Sequence, residues 1–438
     1  MLGGGTFVTQ NKVLPGTYHN FISAARAFVN LSDRGYVALP IPLDWGVDGE
    51  VFTLTSEDLQ KNSRGILGYD FADSKLKGIR DIFKNAHTVY LYKLGEGAAK
   101  ASNEYAEAKY TGTRGNDLKI VIQENVDNPE KFDVSVYLQN SLVDEQKGVV
   151  SAANLVANDF VVFKADANLV ATAGTPLTGG TNGTINGTAY QNALDALEAY
   201  GFNTLGCLSS EQTIKDLFIA YTKRMRDEVG AKFQLVGHKL GTADHEGVID
   251  VQNDAIGEDE EVFSAVYWTV GAQAGVAINK SNTNKLYNGE YTLDMSETKT
   301  QSQLTELLKN GKYVFHRVGT ETRVLEDVNT FTSFTSEKNE DFSMNQVIRV
   351  LDQIAIDTAN LFNTRYLGQV PNDQSGRVSL WGDIVTHRRE LQGIRAIQNF
   401  NPEQVVVEQG NSKKSVVVNE VVEPTVAMSQ LYITTTVA

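Results

Sequence analysis

One cysteine, Cys207, occurs in 438 residues. A single thiol closes no intrachain disulfide and builds no cysteine-based zinc site, which suits a chain folded in a reducing cytosol. No apolar run reaches the ~18–20 residues of a membrane span, so no direct membrane insertion is expected. The opening residues Met1-Leu2-Gly3-Gly4-Gly5-Thr6 lack the basic and apolar regions of a signal peptide, so export by that route is not expected. Basic residues are in deficit, 39 Lys+Arg against 54 Asp+Glu, a net charge of −15. That balance argues against a nucleic-acid partner, because phosphate-backbone binding depends on Lys and Arg releasing counterions. Hydrophobic residues make up 41% and charged residues 21%, a globular composition, and the length predicts roughly two to four domains.

The motifs of common enzyme classes are also missing. Gly311-Lys312 is followed by Tyr313, without the upstream glycine or the Ser/Thr of a phosphate loop. The glycines between Gly179 and Gly187 carry no lysine and read as a turn into the next helix. His245-Glu246 has no second histidine at helical spacing and reads as a hairpin loop. No Gly-x-Ser-x-Gly elbow occurs. Cys207 ends an apolar strand and reads as a buried, inert thiol. Asp250, Asp254, Glu258, Asp259, Glu260 and Glu261 form the densest acidic stretch but lack calcium-loop spacing. They read as a solvated loop leading into a helix. The expectation is a protein with no catalytic residues, no metal and no cofactor.

What is present is an interrupted α/β rhythm. Arg34–Pro40 and Leu43–Gly46 read as strands. Thr55 or Ser56 caps a helix, Lys75–Asn85 has helical spacing, and His87–Leu94 is a strand. From about Ala98 to Gly187 the chain is rich in strands and turns, as an inserted β-rich domain would be. The α/β rhythm then resumes with a helix capped at Thr188, a strand at Phe202–Leu208, a helix at Glu211–Val229, a strand at Lys232–His238 and an apolar helix at Glu258–Ile278. Lys312–Val318 and Arg323–Val328 read as strands, and Asp341–Leu361 and Leu380–Phe400 as helices.

The two chain ends carry the strongest signal. Val13–Phe21 and Val426–Val437 are β-prone but have little local partner, and a strand needs neighbours. They either join their own domain's sheet or donate strands to another subunit. His387, Arg388 and Arg389 form a basic knot in an acidic chain, readable as a solvated helix face or as a docking surface.

In their order, several motifs make the sequence resemble the tail sheath proteins of contractile (myovirus-type) bacteriophage tails and related contractile bacteriocins. They are Gly4-Gly5-Thr6-Phe7 with Pro15-Gly16-Thr17-Tyr18, Ala108-Lys109-Tyr110-Thr111-Gly112 with Gly115-Asn116-Asp117, and Gly179-Gly180-Thr181-Asn182-Gly183 before Ala189-Tyr190. Lys280-Ser281-Asn282-Thr283-Asn284 and Val324-Leu325-Glu326-Asp327-Val328-Asn329-Thr330 continue the series. Residues 118–178 match least, as the family's variable outer domain would.

The resemblance implies a multidomain α+β and α/β chain. An inner domain is built from both ends (1–20 as an N-terminal arm, and 346–438). A middle α/β domain takes 21–97 plus 186–345, and a β-rich outer domain is inserted at 98–185. It implies that Val13, Tyr18, Phe21, Leu431, Ile433 and Val437 lie in intersubunit strand arms. Val405, Val407, Val416 and Val418 would form the receiving hairpin. His387, Arg388, Arg389 and Arg395 would face a tail tube. The implied function is a non-enzymatic subunit that polymerises helically around the tube and contracts from a metastable state to drive it through a cell envelope. Partners would be copies of itself, the tube, baseplate and tail terminator proteins. The place would be a virion or bacteriocin particle assembled in the bacterial cytoplasm. The alternatives are another structural tail or surface-layer polymer, or an α/β enzyme with an inserted β domain.

Overall fold

The structure is a computed structural model describing residues 31, 33–258 and 260–437. Strand β1 (Tyr36–Pro42) is built of apolar and aromatic residues, and five of its seven residues are buried. Leu43–Gly46 is a bend rather than the expected strand, and it sends Trp45 into the interior. Strand β2 (Val51–Thr55) runs into helix α1 (Ser56–Leu67), where Thr55 and Asp58 form a capping box. Helix α2 (Lys77–Phe83) leads to β3 (Thr88–Leu94).

The next segment is all β. Strands β4 (Lys100–Ser102) and β5 (Ala106–Thr111) pair with β9 (Val161–Phe163) in a three-stranded sheet. Strands β6 (Leu118–Glu124), β7 (Phe132–Leu138) and β8 (Ser141–Val149) join β10 (Thr172–Pro176) in an antiparallel four-stranded sheet. Period-two alternation on β6 and β7 sends Ile120, Ile122, Val134 and Val136 into one core with Ala106, Ala108 and Val161 of the other sheet. The two connections to the rest of the chain run antiparallel, with bridges Glu96–Thr184, Ala99–Thr181 and Ser102–Thr178. This explains the glycines at 179–183. A side chain on Gly183 (φ +71°) would sit 2.5 Å from the Glu96 carbonyl, and one on Gly180 2.4 Å from that of Gly112.

After the insertion, Asn186 rather than Thr188 caps α3 (Gly187–Leu197), its Oδ1 accepting from the Ala189 N–H. Strand β11 (Thr204–Cys207), helix α4 (Gln212–Lys223), β12 (Gln234–His238) and β13 (Val248–Val251) follow. Short strands β14 (Ala255–Ile256) and β15 (Thr292–Leu293) flank helix α5 (Ala265–Gly275), which is shorter than the expected Glu258–Ile278. Helix α6 (Gln301–Lys309), strand β16 (Lys312–Tyr313) and a hairpin of β17 (Phe315–Val318) and β18 (Glu321–Val324) complete this part.

Seven strands form one sheet in the order β16-β13-β12-β11-β1-β3-β2, parallel except for the β2 edge. Helices α1, α2 and α5 cover one face, and α3 and α4 the other. This is why every residue of β11, β12 and β13 is buried. Two expectations fail here. Asp250 is not solvated: it lies fully buried on β13, paired with Lys312 at 2.6 Å and accepting the Leu240 N–H at 2.8 Å. His245-Glu246 is not in a hairpin, because β12 and β13 are parallel and the loop between them is a crossover.

The last quarter packs on this body. Helix α7 (Asn345–Leu361) and helix α8 (Gln374–Gly393) precede β19 (Ile397–Gln398), β20 (Val406–Gln409), β21 (Val416–Asn419) and β22 (Glu423–Pro424). The molecule is thus a multidomain α+β chain with several separate sheets.

Candidate assembly interface

Strands β20 and β21 form an antiparallel hairpin with no third strand among the described residues. Val405, Val407, Val416 and Val418 turn inward against Leu361, Leu380, Ile384 and Val385 of α7 and α8. Trp381 donates its Nε1–H to the Val405 carbonyl at 3.0 Å, and Asn372 holds the tip through the Lys413 and Ser415 carbonyls. Beyond β21 lies a groove of about 450 Å³ lined by Ile354, Ala355, Thr358 and Phe362, with Leu380 and Ile384. Val416, Val418 and Glu420 form its other side. The hairpin therefore presents an unpaired edge beside an apolar trough, the geometry that accepts an added strand.

The C-terminal segment is the complementary feature. Residues 425–437 form no strand with any of the described residues, and Leu431, Tyr432, Ile433 and Val437 are 74–90% exposed. Its anchors are a Thr425 N–H to the Ala396 carbonyl and an Ala427 N–H to Gln346 Oε1 at 2.9 Å. Val13, Tyr18 and Phe21 lie outside the described residues.

The basic knot divides. Arg389 and Arg395 are exposed, whereas His387 and Arg388 are 1% exposed and cannot be presented to a tube from this position. Their places on the inner face of α8 turn them into a fastener. Arg388 grips Glu420 with two hydrogen bonds of 2.9 and 2.7 Å and reaches Thr358 on α7. It also donates to His387 Nδ1, so His387 Nε2 carries the proton donated to Asp357 at 2.8 Å. This corrects the expectation for two of the four residues. Charge at helical spacing does not reveal which face the fold buries.

A second polar joint, not foreseen, fixes α7 to the sheet. Asp327 accepts from Arg349 (3.1 Å), Gln273 (2.6 Å), Asn345 (3.0 Å) and the Asn282 N–H (3.0 Å). Beside it Arg226 and Asp352 pair twice at 2.7 Å. Burial pushes the Asp327 carboxyl up, but Arg349 and the hydrogen bonds outweigh it, so it titrates below the ordinary range. The signal was available: Asn282 and Asp327 lie in two of the motifs that carry the resemblance.

Asp227, His245 and Glu246 bring three possible ligand atoms within 4.8 Å of one another. The Gly247 N–H occupies His245 Nδ1, however, so Nε2 keeps its proton and donates to Asp227 at 3.1 Å. Glu246 is taken by Lys338 at 2.7 Å. These atoms satisfy one another and do not fit a cation. Cys207 is fully buried, and burial pushes its thiol up to about 12, which suits an inert side chain.

Four family models match in succession. They describe the tail sheath protein Gp18 domain III N-terminal region (residues 34–94) and the phage tail sheath protein beta-sandwich domain (95–182). The phage tail sheath protein central domain (183–330) and C-terminal domain (337–438) follow. The phage-like element PBSX protein XkdK of Bacillus subtilis strain 168 is 31% identical, with 98% of this chain and 99% of that protein aligned. A crystal structure of a sheath tail protein from Desulfitobacterium hafniense superposes with a TM-score of 0.82 at 34% identity, covering 95% of this chain and 99% of that one. The contracted helical sheath of the anti-feeding prophage shares the fold at TM-score 0.55 and 14% identity, over 97% of this chain and 99% of that one.

Proposed function

The chain belongs to the phage tail sheath protein family, whose members are structural and not enzymatic, and from that premise we propose that it polymerises by strand exchange into a contractile sleeve. The observation that carries the reading is the pairing of two unmatched features. A segment at 425–437 with exposed apolar side chains finds no sheet among the described residues, and a two-stranded hairpin leaves an edge open beside an apolar trough. In this reading Leu431, Ile433 and Val437 of one subunit enter the trough beside Val416 and Val418 of the next. Val13, Tyr18 and Phe21 supply the other arm. Such a contact is heterologous, and heterologous contacts propagate as open helices when the rotation does not close.

Magnitudes favour side chains as the source of affinity. Each main-chain hydrogen bond contributes ~0.5–1.5 kcal/mol net, while ordering a residue costs ~1–2 kcal/mol. Burying a Leu, Ile, Val or Met side chain adds ~1.5–3 kcal/mol, and this tips the balance.

The domain division follows the same reading. An inner domain takes 1–20 and 346–438, a middle domain 21–97 and 186–345, and an outer domain 98–185. The sandwich core at 101–177 and the sheet built from residues 36–94 and 204–313 support it. Arg389 and Arg395 are the exposed cations that remain for the tube. Contraction that buries roughly 400 Å² more apolar area per subunit would release about 10 kcal/mol, enough to drive the tube without nucleotide. The extended state is then held by a kinetic barrier. Baseplate and terminator proteins would bound the sleeve, assembled in the host cytoplasm.

The test is negative-stain electron microscopy of the purified protein, alone and with tube protein, beside a variant lacking 426–438. Hollow striated rods from the full chain and none from the truncated one are expected. Rods of normal length from the truncated protein would overturn the strand-exchange reading.

A further inference from the structure

A groove of about 390 Å³ opens at the tip of the β20–β21 hairpin, between Lys413-Lys414 and the loop before α8. Its apolar lining is Phe362, Leu367, Val370, Leu380 and Val416, and Leu367 stands 59% exposed. Its charged lining is Arg377, Lys413 and Lys414, with no carboxylate among the lining residues, in a chain where acids outnumber bases 54 to 39. The walls are fixed, because Asn372 ties the tip and Arg377 donates to the Asn372 carbonyl and Oδ1.

The strand arms do not answer this charge. Residues 13–21 and 426–437 contain no Asp or Glu. The matching chemistry lies elsewhere on the chain, in the segment from β14 to α5. There Ile256 (49% exposed) and Val262 (42% exposed) stand beside exposed Glu258 and Glu261, an apolar knob bordered by carboxylates. Neither glutamate has a basic partner among the described residues, whereas Glu260 is held by Lys77 at 2.5 Å. Within the chain, the knob sits on the seven-stranded sheet's body and the groove on the C-terminal hairpin, so a second copy brings them together more readily than one chain folding back.

We propose that this groove, which adjoins the strand-exchange trough and shares Phe362, Leu380 and Val416 with it, is a second sheath–sheath contact that seats the apolar knob of Ile256 and Val262 from another copy of the chain. Ile256 and Val262 fill the apolar part, and Glu258 and Glu261 meet Lys413, Lys414 and Arg377. The proposal rests on the reading that the chain polymerises. Exposed pairs of this kind add little affinity singly but select partner and register by charge complementarity.

The experiment is a charge swap in the full-length protein, read by sedimentation and negative stain. K413E/K414E and E258K/E261K are prepared separately, then combined in one chain. Wild-type rods establish polymerisation independently. Each double variant is expected to raise the concentration needed for rods about tenfold, with folding checked by circular dichroism. The combined variant is expected to recover most of that loss. Rods formed normally by both double variants would overturn the contact while leaving strand exchange standing. A loss in K413E/K414E that the combined variant does not recover would also overturn it, since the groove then takes a different acidic partner. If the wild-type chain stays monomeric even with tube protein, the polymer reading and this contact fall together.

Discussion

At the scale of single residues, buried charge governs what can be predicted. Asp327 is fully enclosed by donors from Arg349, Gln273, Asn345 and the Asn282 backbone. Asp327→Ala strands the Arg349 guanidinium, and removing one member of such a pair costs about 3–5 kcal/mol, measurable by urea denaturation. The pH dependence follows from the depressed titration of that carboxyl. A group whose folded pKa lies below its unfolded value adds stability above the unfolded value, about 3.9 for Asp, and loses it as pH falls through the folded value. Urea midpoints should therefore drop below about pH 4, and less steeply in Asp327→Asn. Cys207 gives the opposite sign: with its thiol near 12, no native labelling by a thiol-specific disulfide reagent is expected at pH 8. One label per chain should appear after unfolding.

At the scale of elements, close backbone approach decides what is tolerated. Helix α5 lies so near α2 that a side chain on Gly275 would sit 1.8 Å from the Asn85 carbonyl, and one on Gly271 2.4 Å from that of Ile82. Gly275→Ala must push the helices apart, and overpacking of this kind costs typically ~1–3 kcal/mol, visible as a lower melting temperature. The hairpin shows why the basic knot misled. Leu380, Ile384, His387, Arg388 and Leu391 share the inner face of α8. The helical period was legible, but which polar residues joined the buried stripe depended on Asp357 and Glu420 arriving from distant positions. Charge reversal of Arg389 and Arg395 should reduce co-sedimentation with tube protein while leaving the melting temperature within a degree or two. Arg388→Glu should instead unfold the hairpin, because it would bury a second carboxylate against Glu420.

At the scale of the whole molecule, the cost of exposed apolar chain is the organising fact. The segment 425–437, with Met428 fully exposed and Leu431, Ile433 and Val437 largely so, carries a hydration penalty that burial against a neighbour would relieve. The same accounting favours rigid domains. The Asp327 and Arg226 joints lock α7 to the seven-stranded sheet, and the zipped glycine-rich connections lock the β-rich segment to it. In the proposed sleeve, motion between subunits would then cost less than motion within one.

Local pattern alone was enough for the rhythm: an α/β chain with a β-rich segment near 98–187, a C-terminal segment with little local partner, and a buried cysteine. Period two, period 3.6 and turn chemistry are local, so they survive without coordinates. It took the packed fold to show that Asp250 is a buried partner of Lys312, that the His245 loop crosses between parallel strands, and that His387 and Arg388 fasten the hairpin from within. The charge pairs depend on groups 30 to 62 residues away, and the burial that makes a charge structural rather than solvated is a property of the packed layers, not of the residue.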